Sequence, residues 1–128
     1  GHQYAQVSLD NGNTWNEPYE IDFPDACSRS AAGNLPDGSA YVINNPGTTR
    51  DPLVISLAED GINFNRHGVI ACNAPPRRYE GRWKDIGFEY PHADIIDNTL
   101  QVIYSVNKED MRVTSIPFDS LKSLSVRT

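Results

Sequence analysis

The chain reads as an all-β protein built from repeats. Three observations predict this. A strand-like segment recurs at near-constant spacing, turn chemistry separates the copies, and no segment keeps a helical period. The copies are Tyr4-Ala-Gln-Val-Ser8, Pro52-Leu-Val-Ile-Ser56 and Leu100-Gln-Val-Ile-Tyr-Ser105. Their serines follow one another at 48 and 49 residues. Repeats of roughly 40–50 residues with several strands each are the pattern of propeller blades.

The elements follow in order. Residues 4–8 and 18–22 read as the last two strands of one blade. Residues 29–33, 39–45, 52–58 and 68–71 read as a complete four-stranded blade. Residues 91–96, 99–106 and 111–116 open a third. Leu35-Pro-Asp-Gly-Ser-Ala-Tyr-Val-Ile43 and Ile95-Ile-Asp-Asn-Thr-Leu-Gln-Val-Ile103 each read as strand, tight turn, strand. Asp-Gly and Asp-Asn suit such hairpins because Gly and Asn tolerate positive φ. This echo runs at 60 residues, the extra length lying in one long loop, 72–89. The expected architecture is a partial β-propeller of about two and a quarter four-stranded antiparallel blades. It forms a single unit over 1–128, divided as 1–22, 23–72 and 73–128.

Composition agrees. Nine Gly and nine Pro among 128 residues favour short strands and frequent turns. Hydrophobic residues are 38% and mean hydropathy is −0.52, as for a water-exposed fold with a modest core. No apolar run approaches a membrane span. A net charge of −6 argues against a general nucleic-acid surface. Cys27 and Cys72 fit no metal-ligand spacing and leave a disulfide and two free thiols both open. No metal or cofactor is expected.

Ser8-x-Asp10-x-Gly12-x-Thr14-Trp15 is an Asp box, a turn found in sialidases and other propellers. Asp10 can accept from turn N–H groups, Gly12 supplies the unusual backbone angle, and Trp15 is expected to pack between blades. Ala58-Glu-Asp-Gly-Ile-Asn-Phe64 is a degenerate copy, with Gly61 49 residues after Gly12.

Two further segments resemble the sialidase (neuraminidase) superfamily. Asn45-Pro46-Gly-Thr-Thr-Arg50, followed by a strand and the degenerate box, resembles a late blade of that family. Glu89-Tyr90-Pro-His-Ala, a hairpin and Val102-Ile-Tyr104 resemble its last catalytic blade. Pro91 stands where the family usually has Ser, and Glu89 where it has a small residue. The chain also resembles, through the ending Tyr104-Ser-Val-Asn-Lys-Glu-Asp-Met-Arg-Val-Thr-Ser-Ile-Pro117, bacterial BNR-repeat, sialidase-like proteins of six-bladed type.

The resemblance implies a glycoside hydrolase acting on terminal sialic acid or a related acidic sugar. Arg50 would be the third of three arginines clamping the substrate carboxylate, and Tyr90 the nucleophile. The family's acid/base Asp and its Glu base would precede residue 1, so this stretch alone is expected to be inactive. A glycan or sialoglycoconjugate is the implied partner, and a secreted or periplasmic location is implied by resemblance only. Two other readings stay open: a non-catalytic propeller binding glycan or protein, and a propeller hydrolase acting on another glycan.

The blade layout adds a geometric expectation. Arg50 falls in a loop between second and third strands, and Tyr90 at the start of an innermost strand. Asp25, Arg29, Arg78, Arg82 and Lys84 fall in or beside loops leading into a blade. All lie on one face, with Trp15 and Phe64 on the other. Residues 77–84 carry four positive charges and one negative. That suits an anionic or hydroxyl-rich ligand, with Trp83 and Tyr79 available to stack on a sugar. His92 shares strand parity with Tyr90 and is expected to line the same channel.

Overall fold

The computed structural model describes residues 2–126. It is all-β, with three antiparallel sheets and one short helix. The first sheet pairs β1 (His2–Ala5) with β2 (Tyr19–Pro24). The second runs in sequence order through β3 (Ala31–Asn34), β4 (Ala40–Asn44), β5 (Leu53–Ala58) and β6 (Arg66–Ala71). The third holds β7 (Phe88–Ile96), β8 (Thr99–Val106) and β9 (Asp110–Pro117). Helix α1 (Phe118–Lys122) follows β9, a turn and a half too short to leave a helical period in the sequence. It buries Leu121. No helix among the described residues is long and apolar enough to cross a membrane.

The recurring segments become β1, β5 and β8, with shifted ends. The first stops at Ala5 rather than Ser8 because Val7 closes the turn instead of a ladder. Its N–H donates to Asn16 Oδ1 at 2.5 Å, and its carbonyl accepts from Asn16 N–H at 3.1 Å. The core lies between the second and third sheets. Ile43, Leu53, Ile55 and Leu57 meet Phe88, Leu100, Val102, Tyr104 and Val106, and Leu121 of α1 joins the same cluster. Period-2 alternation puts Leu100, Val102, Tyr104 and Val106 inward while Ile103 stays partly exposed. Phe88 and Tyr104 pack edge to face at 5.8 Å. Each such side chain contributes about 1.5–3 kcal/mol by burial.

The Asp box forms as its residue types require. Ser8 Oγ donates to Asp10 Oδ1 at 2.8 Å and accepts from Gly12 N–H at 2.7 Å. Thr14 N–H and Oγ1 donate to the two Asp10 oxygens at 2.8 and 2.6 Å. Gly12 sits at φ +87°, which L side chains rarely adopt. The Thr14 hydroxyl, then its N–H and the Ser8 hydroxyl, lower the Asp10 pKa to about 2. Trp15 departs from expectation. It is 59% exposed and its indole N–H donates to Gly12 O at 3.1 Å, so it folds back on its own turn. Inter-sheet packing falls instead to Phe64 of the degenerate copy, edge-on to Phe23 of β2 at 5.5 Å. There Asp60 accepts from the N–H groups of Ile62 and Asn63.

Candidate functional site

The second and third sheets are joined at the end where β7 begins. Gly87 and Arg50 form a parallel bridge, and Phe88 N–H donates to the Arg50 carbonyl at 2.8 Å. The fully buried Asn45 organises the loop from one side. Its amide nitrogen donates to the carbonyls of Arg50, Pro52 and Phe88 at 2.9, 3.0 and 3.2 Å, and its oxygen accepts from Ser28 Oγ at 2.8 Å. Asn107 does the same from the other side. Its N–H donates to Gly87 O at 2.8 Å, its Oδ1 accepts from Gly87 N–H at 2.9 Å, and its Nδ2 donates to Pro75 O at 2.8 Å. A Cβ at Gly87 would sit 2.5 Å from the Arg50 carbonyl oxygen, so only glycine permits this approach.

The Arg50 side chain is 20% exposed, with Asp85 Oδ2 at 4.0 Å from Nε. It lines an open pocket of about 500 Å³ with Thr48, Thr49, Arg77, Lys84 and Asp85. Tyr90 lies outside that pocket, three residues beyond the Gly87 bridge.

Tyr90 is the third residue of β7, which begins at Phe88 and not at 91. The register slips between Glu89 and His92, and Tyr90 takes φ +54°. Pro91 fits this bulge, where its missing N–H breaks no ladder bond. Tyr90 is 47% exposed, whereas Glu89 is fully buried. Neither Glu89 oxygen has a hydrogen-bond partner, and its counter-charge is Lys108, Nζ to Oε2 at 3.4 Å. The same ammonium lies 5.6 Å from the Tyr90 ring centroid and donates to the Trp83 carbonyl. Burial works against the Lys108 charge, but the Tyr90 phenol and the Glu89 carboxylate outweigh it and hold the ammonium above its ordinary range.

The loop between β6 and β7 is held by the turn between β8 and β9. Glu109, its side chain 3% exposed, accepts from the N–H groups of Arg78 and Tyr79, both at 2.9 Å, and from Lys84 Nζ at 2.5 Å. Lys84 is the largest cause lowering the Glu109 pKa to about 2, against the cost of burial. Arg78 also reaches Asp110 Oδ1 at 2.7 Å, and Arg77 donates to Lys84 O at 2.6 Å. The basic run 77–84 is therefore largely occupied by internal partners and is not a free cationic face. Trp83, 79% exposed at φ +60°, and Tyr79, 65% exposed, remain open, with Arg82 over the Trp83 ring at 5.5 Å.

Asp25 is buried and accepts from Cys27 N–H at 2.9 Å and Asn44 Nδ2 at 3.0 Å, bracing its own loop. Arg29 and His92 are exposed, His92 standing opposite Ile103. Cys27 and Cys72 are free and exposed. The backbone of Arg50 is thus joined to Gly87, just ahead of the strand that bears Tyr90; Asn45 and Asn107 hold that junction, Lys108 lies beside Glu89 and Tyr90, and Glu109 holds the 78–84 loop. Asn45 and Glu89 carried local signals, one heading the segment that ends in Arg50 and the other beside Tyr90. Gly87, Asn107, Lys108 and Glu109 act on partners distant in sequence.

A family model described as a BNR repeat-like domain matches residues 1–102. That span takes in both Asp-box turns, Arg50 and Tyr90, and stops inside β8. No curated protein and no solved structure matches the chain.

Proposed function

The chain belongs to the family of BNR repeat-like domains, and from that premise we propose that it is part of a six-bladed sialidase-like propeller that cleaves a terminal acidic sugar, sialic acid or a relative, from glycans. The observation that carries this reading is the Arg50–Gly87 junction, which joins the backbone of the loop bearing Arg50 to the chain just ahead of the strand bearing Tyr90. Adjacent antiparallel sheets in sequence order, β3 against β7, and Asp-box turns at β1–β2 and β5–β6 support the blade reading.

In this reading Arg50 takes the sugar carboxylate through its planar guanidinium. A carboxylate nucleophile would be repelled by that substrate charge, whereas the phenol of Tyr90 is not. Its oxygen would bond to the anomeric carbon as the aglycone leaves with a proton, and water would then release the sugar. Trp83 and Tyr79 offer flat faces to the leaving glycan.

The test is turnover of a fluorogenic sialoside by the full-length protein. Turnover is expected, with loss in Tyr90→Phe. No turnover, or turnover unchanged in Tyr90→Phe, rejects the mechanism, and acidic-sugar binding that survives Arg50→Ala rejects the clamp. Exposed Trp83 and Tyr79 favour one second reading, a non-catalytic glycan-binding surface. Binding without turnover, lost in Trp83→Ala, would select it.

A further inference from the structure

We propose that Lys108, held from beneath by Glu89, is the residue that positions Tyr90 and ties it to the Trp83 loop. The proposal rests on Tyr90 belonging to the site. Three observations carry it.

The first is Glu89 itself. Asp10, Asp25, Asp60 and Glu109 each accept two or more hydrogen bonds. Glu89, fully buried, accepts none and faces the Lys108 ammonium. A buried carboxylate without hydrogen bonds is a poor stabilising device. It does neutralise Lys108, which leaves Arg50 as the carboxylate receptor and frees Lys108 to hold other groups.

The second is the convergence of strained backbone. Trp83 and Tyr90 have positive φ, at +60° and +54°. Neither is a glycine, and both meet the Lys108 ammonium, whose own residue has positive φ as part of the 106–109 hairpin turn, closed by Glu109 N–H to Val106 O at 2.9 Å. Such conformations cost energy in bulky residues and cluster where the surroundings fix a functional geometry.

The third is the bulge. In a regular strand, side chains 89 and 90 would point to opposite faces. The register slip and the left-handed turn at Tyr90 let a single cation reach both, 3.4 Å from one and 5.6 Å from the ring of the other. Lys108 thereby fixes the Tyr90 ring while its bond to the Trp83 carbonyl sets the loop beside it. It is a positioning residue and makes no bond to the sugar.

The experiment labels tyrosine rings with carbon-13 in the full-length protein and assigns Tyr90 by its loss in Tyr90→Phe. In Lys108→Met the Tyr90 ring signal should shift or split, and in Lys108→Arg a single signal near the wild-type position should return. The double variant Glu89→Gln/Lys108→Met removes both charges together, keeping the fold without a lone buried charge, and should still displace the Tyr90 signal. A Tyr90 signal unchanged in the folded double variant overturns the proposal. With the fluorogenic sialoside, the double variant should lose about a hundredfold in kcat with KM little altered, as expected for a misplaced reacting group. A raised KM at unchanged kcat overturns it too, since that marks a substrate-binding charge. If the wild type does not turn the sialoside over, the hydrolase reading fails while the ring signal still decides the positioning role.

Discussion

Replacing Gly87 by alanine should break the junction on which the candidate site is built. The added Cβ would lie 2.5 Å from the Arg50 carbonyl oxygen and 2.6 Å from its carbonyl carbon. Both are backbone atoms, so no side chain can swing aside. Gly87 also sits at φ +144°, where an L side chain is strained. Relief requires the start of β7 to move off the 45–52 loop. That movement breaks the Phe88–Arg50 bond and puts the two Gly87–Asn107 bonds at risk. With about 1 kcal/mol for each bond and a similar or larger cost for the backbone, the loss comes to about 4 kcal/mol. That is close to a thousandfold in the folding equilibrium. Gly47→Ala is the control. It lies in the same loop, is not left-handed, and its Cβ would meet nothing nearer than Thr49 N at 3.9 Å. It should cost less than about 0.5 kcal/mol, as surface changes do. Urea unfolding followed by tryptophan fluorescence measures both variants. Gly87→Ala within about 1 kcal/mol of wild type would refute the close approach, on the scale of one lost hydrogen bond.

Two further outcomes follow from the same geometry. Asn45→Asp, although isosteric, should destabilise at least as much as Asn45→Ala in the same unfolding assay, because it turns an oxygen toward three carbonyls; a milder Asp variant would show that the amide donor is not what holds the loop. Glu109 has a pKa lowered from 4.5 to about 2, so its contribution is fully present above about pH 4.5 and is lost as pH falls toward 2. Trp83 emission, read in a Trp15→Phe background, should change across that window, and Glu109→Gln should show the acid-form emission already at neutral pH; an emission that ignores both pH and the substitution would exclude the clasp.

Much of the fold was legible because its signals are local. Continuous apolar runs mark β4 and β5 and alternation marks β8, and positive φ falls where Gly12, Gly38, Gly61, Asp97 and Asn98 announced turns. The start of β7 was not legible, since Pro91 reads as a strand break until the bulge around it is seen. The role of Trp15 was misjudged because the motif fixes the turn, not what lies beyond its aromatic ring. The site divides the same way. Arg50 and Tyr90 stand in recognisable patterns, whereas Lys108 and Glu109 act on residues 18 to 31 positions away. The run 77–84 looked cationic because its neutralising partners, Glu109 and Asp110, lie in another hairpin.

The turn at 107–110 has a consequence for anyone transplanting the Trp83 loop. All four of its residues hold that loop: Asn107 at Pro75 and Gly87, Lys108 at Trp83, Glu109 at Arg78, Tyr79 and Lys84, and Asp110 at Arg78. Loop and turn are therefore one exchangeable cassette in two pieces. A graft of residues 73–87 alone onto another scaffold should arrive shapeless, and libraries that vary the loop should vary 107–110 with it.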